Sequence, residues 1–249
     1  MNPREYEALF KTEDLHWWFV ALRREIARAI ERYPPGRPHA AARWLDAGSG
    51  TGGLLAHLEL GQETTRAGVD ESLDALALAR KRRLPVAAGS VTSLPFPDES
   101  FDLVTSIDVL CHRDVEKLPA LTEARRCLRT GGILVLQVPA FDWLASEHDR
   151  AVWTDRRFRR REVERLIRDS GLVVRESFYR IGLLFPAVVL ARLAKRRSGP
   201  ERDVRSQVRP ATPLTNLLFG GLLRLEAAAA AAGLRLPFGL SVFCVVQKP

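Results

Sequence analysis

The sequence predicts an α/β fold: a seven-stranded, mostly parallel sheet with helices on both faces, an N-terminal helix, and a helical insert before the last strand. Three observations predict it. Between about residues 43 and 138 short apolar runs alternate with helical patterns, the rhythm of βαβ units around a parallel sheet. A glycine-rich turn, Gly48-Ser49-Gly50-Thr51-Gly52-Gly53, follows the first run, and Gly131-Gly132 announces the fifth.

Taken in order, strand one is 43–47, followed by the glycine loop and a helix through residue 60. Strand two is 66–70 with a helix over 72–82, and strand three is the short run 85–88. Strand four is 101–107, its helix 115–128, and strand five 133–138. A helix over 161–170 stops at Gly171, strand six is 172–179, and 241–247 makes the last strand. Two segments lie outside this rhythm, a single N-terminal helix up to residue 33 and the stretch 182–240. The expected organisation is an N-terminal helical cap (1–40), a core (41–181), a helical insert or lid (182–238) and a last core strand (239–249).

Composition fits a globular protein, with 46% hydrophobic and 27% charged residues over 249 positions. The N-terminus is charged from Arg4 onward, so it reads as an amphipathic helix rather than a secretory signal. The apolar runs 181–191 and 214–223 fall short of the ~20 residues of a membrane span and are interrupted by Pro186 and by Gly220-Gly221; no transmembrane segment is expected, though contact with a membrane surface is open to the insert. Cys111, Cys127 and Cys244 are too few and too widely spaced for a disulfide framework or a metal cluster, so no metal is expected and a reducing cytoplasm fits. The net charge of +8 raises a nucleic-acid partner, but its arginines are scattered through an alanine-rich chain, and nucleic acid is not the expected partner. A monomer or a homodimer is expected.

The sharpest motif is Leu45-Asp46-Ala47-Gly48-Ser49-Gly50-Thr51-Gly52-Gly53. Glycines at every second position let the backbone turn tightly and bring its N–H groups against a ligand at the carboxyl edge of the strand. Asp46, two residues before the first glycine, gives a diphosphate nothing but attracts an ammonium or sulfonium. Asp70-Glu71-Ser72 ends strand two, where a carboxylate accepts from both hydroxyls of a ribose. Ser72 suits the N-cap of the next helix, which leaves Asp70 for the ligand.

With these residues the chain resembles class I S-adenosylmethionine-dependent methyltransferases of the type 11 kind, a Rossmann-like family. Gly89-Ser90-Val91 with Leu94-Pro95-Phe96 resembles the family's adenine-contacting segment, 101–104 through Asp108-Val109-Leu110 its fourth strand, and 128–132 its turn before strand five. Many relatives carry an acid where this chain has Ser90. The flanks, His16-Trp17-Trp18-Phe19 above all, resemble a bacterial subgroup. The resemblance implies S-adenosylmethionine as cofactor, S-adenosylhomocysteine as product, and contacts from Asp46, Gly48, Ser49, Gly50, Gly52, Asp70, Glu71, Ser72, Gly89, Ser90, Val91, Asp108 and Val109.

Methyl transfer from a sulfonium is favoured by alignment in an enclosed site of low polarity. Trp17, Trp18 and Phe19 are expected to close over the substrates, and Arg24 and Arg157 to hold an anionic group on the acceptor. For a hydroxyl acceptor, His148, Asp149 and His112 are the candidate bases. The expected reaction is transfer to oxygen or nitrogen of a small molecule such as a sugar, a glycan precursor or another secondary metabolite. The alternatives are methylation of RNA or another nucleic acid, and a non-catalytic S-adenosylmethionine-binding protein.

Overall fold

The structure, a computed structural model, describes residues 3–35, 42–61, 63–197 and 210–249. Seven strands form one sheet: β1 (Arg43–Ala47), β2 (Thr65–Asp70), β3 (Val86–Ala88), β4 (Phe101–Ile107), β5 (Leu128–Pro139), β6 (Val173–Arg180) and β7 (Ser241–Gln247), in the order β3-β2-β1-β4-β5-β7-β6. The pairs from β3 to β5 are parallel, whereas β7 runs antiparallel between β5 and β6. The central strands are buried on both faces because helices cover both: β4 and β7 are buried along nearly their whole length. Trp44, at 0% exposed, donates its indole N–H to Thr105 Oγ1 at 2.9 Å and so satisfies the one polar atom it brings into the core.

The helices are α1 (Pro3–Thr12), α2 (Trp17–Arg32), α3 (Gly53–His57), α4 (Leu73–Lys81), α5 (Lys117–Cys127), α6 (Glu147–Ala151), α7 (Arg160–Asp169), α8 (Phe185–Arg197) and α9 (Pro213–Ala231). Several elements differ from expectation, α6 among them, which the sequence pattern does not predict. The N-terminal helix is two helices, because the His16 side chain accepts from Trp18 N and caps α2, which starts a new helix there. β5 begins five residues early, running through Gly131 at φ +79°, and its register against β4 shifts between Phe101 and Leu103. Gly220-Gly221 does not break α9, which continues through the alanine run for 19 residues. Among the described residues α9 alone is long and apolar enough to cross a membrane, with mean hydropathy 1.2, which corrects the segmentation into runs too short for that.

Candidate functional site

Parallel strands leave their carboxyl ends open where the order reverses, between β1 and β4, and the structure places a cavity of about 850 Å³ there. Its floor is the glycine loop. Gly48 N and Ser49 N donate to Val69 O at 2.8 and 2.9 Å, which ties the loop to β2. At Gly48, φ is +85° and a Cβ would overlap the Val109 side chain; at Gly50, φ is +52° and a Cβ would stand in open space. Gly50 therefore presents bare backbone to the cavity, while Gly48 brings the β4 loop close. Gly52 does neither: its φ is +80° and its missing Cβ makes room for Leu84, away from the cavity.

Two acids from neighbouring strands face this floor. Asp46, 3% exposed, accepts from Thr105 Oγ1 at 2.6 Å. Burial, reinforced by the charges of Asp70 and Glu13, pushes its carboxyl up to about 7, against the hydroxyl's opposing pull. Asp70 accepts from Gly50 N at 2.8 Å on one oxygen and from Ser72 N at 2.9 Å on the other. Ser72 caps α4 by accepting from Ala75 N, as its position suggested, but Asp70 is not left free by it: both oxygens already hold the loop and the helix start together. Each retains lone pairs for a further donor.

Asp108 sits at the end of β4 with φ +55°, a left-handed conformation that Asp tolerates better than most residues. Gln137 Nε2 donates to its Oδ2 at 3.2 Å, and Oδ1 is buried without a hydrogen-bond partner among the described residues. Burial pushes this carboxyl up to about 6. Val109, Val91 and Ile107 supply apolar wall nearby, and Glu71 lines the cavity with Ser72.

The remaining expected residues separate. Trp18 and Phe19 line the cavity, stacked edge to face with centroids 4.7 Å apart. Trp17 does not: its ring packs on Phe219 and its backbone N–H donates to Asn216 Oδ1, so it fastens α2 to α9. Arg24 lines a second cavity of about 370 Å³ between α2, β6 and α9 instead. Gly89 and Ser90 also lie off the lining; Ser90 Oγ bonds Thr92 Oγ1 at 2.8 Å and accepts from Thr92 N, and the bare face of Gly89 packs on Val69 and Pro95.

Asp149 and Arg157 both reach the cavity, yet they hold each other there. Asp149 Oδ1 accepts from Arg157 Nε and pairs with Nη2, each at 2.8 Å, while Oδ2 accepts from the backbone N–H and hydroxyl of Ser146. Each of its oxygens thus accepts from two donors within the protein. The side chain of His148 lies outside the described residues. His112 remains: it lines the cavity, its Nδ1 lies 3.4 Å from Trp153 O, and burial holds its pKa below the usual value.

Pattern reading missed the contribution of the N-terminal segment. Glu13 accepts from Thr51 Oγ1 at 2.5 Å and pairs with Arg82 at 3.0 Å, so it clamps the glycine loop from above, and Gly53 has no side chain because Glu13 stands there. Tyr6 lines the same rim and hydrogen-bonds Ser72. Neither carries a local motif; only the docking of α1 on α4 brings them to the site.

The lining is rich in acids, among them Glu13, Asp46, Asp70, Glu71, Asp74 and Asp108. Such a wall fits a cationic ligand, and bare Gly50 backbone beside Asp70 fits an adenosyl ribose. The residues present therefore suit S-adenosylmethionine. Among the described residues no group of three or more His, Cys, Asp or Glu is placed to hold a metal ion.

Comparison with known proteins agrees. Residues 45–136 match a family described as a methyltransferase domain. The chain is 38% identical over 145 residues to a demethylmenaquinone methyltransferase of Mycobacterium sp. (strain KMS), covering 54% of this chain and 60% of that one. It is 36% identical over 110 residues to a ubiquinone/menaquinone biosynthesis C-methyltransferase of Dinoroseobacter shibae, covering 40% and 43%. The match thus spans less than two thirds of either relative's length. The geranyl diphosphate C-methyltransferase of Streptomyces coelicolor A3(2), solved with Mg2+, geranyl diphosphate and S-adenosylhomocysteine, shares the fold with a TM-score of 0.58 at 15% identity, over 90% of this chain and 79% of that one.

Proposed function

We propose, from the match of residues 45–136 to a methyltransferase-domain family, that the chain is a class I S-adenosylmethionine-dependent methyltransferase that methylates a small organic acceptor bound in the 850 Å³ cavity, at an oxygen or carbon made nucleophilic by loss of a proton. The observation that carries this reading is that Asp46, Gly50, Asp70 and His112 line one cavity, with His112 close enough to Asp70 to feel its charge. Cofactor wall and base open onto one space.

When bound, S-adenosylmethionine supplies a methyl group on a sulfonium. The protein's own residues do the rest. Asp70 accepts from the ribose hydroxyls while its bonds to Gly50 and Ser72 keep it in place. Asp46, ionised against the methionyl ammonium, regains the charge that burial disfavours. Trp18 and Phe19 exclude water from the reacting centre, which strengthens every electrostatic contact there.

His112 takes the acceptor's proton. Its Nδ1–H donates toward Trp153 O, which leaves Nε2 as the acceptor, and its lowered pKa keeps it neutral at pH 7. The relatives' names favour carbon among the acceptor atoms; both relatives' acceptors are quinone-related by name, and an apolar ring fits beside Val109, Leu240 and Phe19. Calorimetry with S-adenosylhomocysteine tests the cofactor half: saturable heat is expected, and it is expected to vanish in Asp70→Ala. Heat with NADH and none with S-adenosylhomocysteine overturns the reading.

A further inference from the structure

α9 is apolar on its outer face as well as on the face that covers the core. Its inner face packs through Leu223 and Leu222 against α2, and Glu226 accepts from the N–H groups of Gly182 and Leu183. The opposite stripe, Leu214, Leu217, Leu218 and Leu225, follows helical spacing and is 59% to 64% exposed. α8 repeats the pattern with Leu190, 68% exposed, and Leu193. A soluble surface seldom carries so continuous an apolar face without a partner.

Charge selects the partner. α8 contains no acid and ends on Lys195-Arg196-Arg197, and Glu226, the sole acid of α9, is occupied by the two backbone N–H groups. A second copy of this face would set cations against cations, whereas an anionic lipid surface offers both the apolar layer and the negative charge. Spanning is disfavoured too, because Leu223 holds one side of α9 on the protein and Arg224 and Glu226 sit within it. Arg192 of α8 lines the cofactor cavity, so the helix that carries Leu190 and Leu193 also forms part of the cavity's wall. We propose that α8 and α9 lay the protein flat on an anionic bilayer surface, with the cavity opening toward the lipid.

The test uses the whole chain and vesicles, with no turnover required. Sucrose-loaded vesicles of phosphatidylcholine alone, and with about a third phosphatidylglycerol, are sedimented with the protein. Binding to the anionic vesicles is expected, about tenfold weaker without the anionic lipid and weakened by salt. Leu217→Glu with Leu218→Glu is expected to lower partitioning about tenfold, as is Leu190→Glu alone on α8, with melting temperature and S-adenosylhomocysteine binding kept. No partitioning by the parent protein overturns the proposal, as does equal partitioning of parent and both variants. Resistance to carbonate extraction would show insertion instead, and a dimer dispersed by the substitutions without vesicle binding would show a second copy; either result overturns it.

Discussion

Asp149 and Arg157 form a buried two-point ion pair at the cavity wall, both contacts at 2.8 Å, with Asp149 5% and Arg157 7% exposed. Arg157 also donates to Ala140 O, at the end of β5. The pair therefore pins the loop after β5 to the sheet rather than presenting either charge to a substrate.

Breaking one partner leaves the other charge buried. Asp149→Ala is expected to lower stability by about 3–5 kcal/mol, read as a shift in the urea midpoint. Arg157→Met in the same background should recover part of it. A near-normal midpoint in Asp149→Ala, joined to a large loss of turnover, would return Asp149 to the list of bases.

Asp46 predicts a pH dependence of stability. Folding raises its carboxyl from an ordinary 3.8 to about 7, so the folded chain holds the proton more tightly than the unfolded one. That contribution is complete below about 3.8 and is lost as pH rises through about 7. Asp46→Asn is expected to flatten this slope, gaining on the parent as pH goes from about 4 to 8. S-adenosylhomocysteine binding near pH 7 should release a proton in the parent and none in the variant, measured by calorimetry in buffers of differing ionisation enthalpy. Identical proton counts would place the methionyl ammonium away from Asp46.

How much of this was legible depends on sequence distance. Asp46, the glycine loop and Asp70 lie at strand ends twenty-odd residues apart, and βαβ geometry alone brings adjacent parallel strands into register, here Asp46 beside Gly68. Ser72 was readable as a cap for the same local reason. Glu13 and Tyr6 were not, because no periodicity reports which helix will fold over a loop forty residues away. Arg157 looked like an anion fork since a guanidinium's partner is a tertiary fact. Gly220-Gly221 looked like a break, but each glycine costs only about 1 kcal/mol in a helix, and packing on α2 with an alanine run behind it outweighs that.

The two glycines at the loop should fail differently. Gly48→Ala forces a Cβ into Val109 at φ +85° and is expected to lower stability by more than the roughly 1–2 kcal/mol of a left-handed alanine, with Val109→Ala restoring part. Gly50→Ala meets no protein atom, so its stability loss should stay near that range while S-adenosylhomocysteine affinity falls at least about tenfold, the added methyl standing where the ligand lies. Equal affinity in Gly50→Ala and the parent would move the ligand off the loop.

His112 carries the chemistry's own prediction. Burial lowers its pKa, with the carbonyl of Trp153 and the charge of Asp70 opposing, so the neutral, proton-accepting form dominates above that lowered value. kcat/KM for the acceptor is expected to rise with pH through a single ionisation below 6.5 and then level. His112→Gln, which keeps hydrogen-bonding capacity but cannot take a proton at this pH, should remove that limb and lower kcat by about 10²–10⁴ with cofactor affinity within a few-fold. Because burial disfavours the imidazolium only in the folded chain, the same histidine costs stability as pH falls through 6.5, and His112→Gln should resist mild acid better than the parent. A pH-independent rate in the parent, matched by full turnover in His112→Gln, would assign proton removal elsewhere in the cavity.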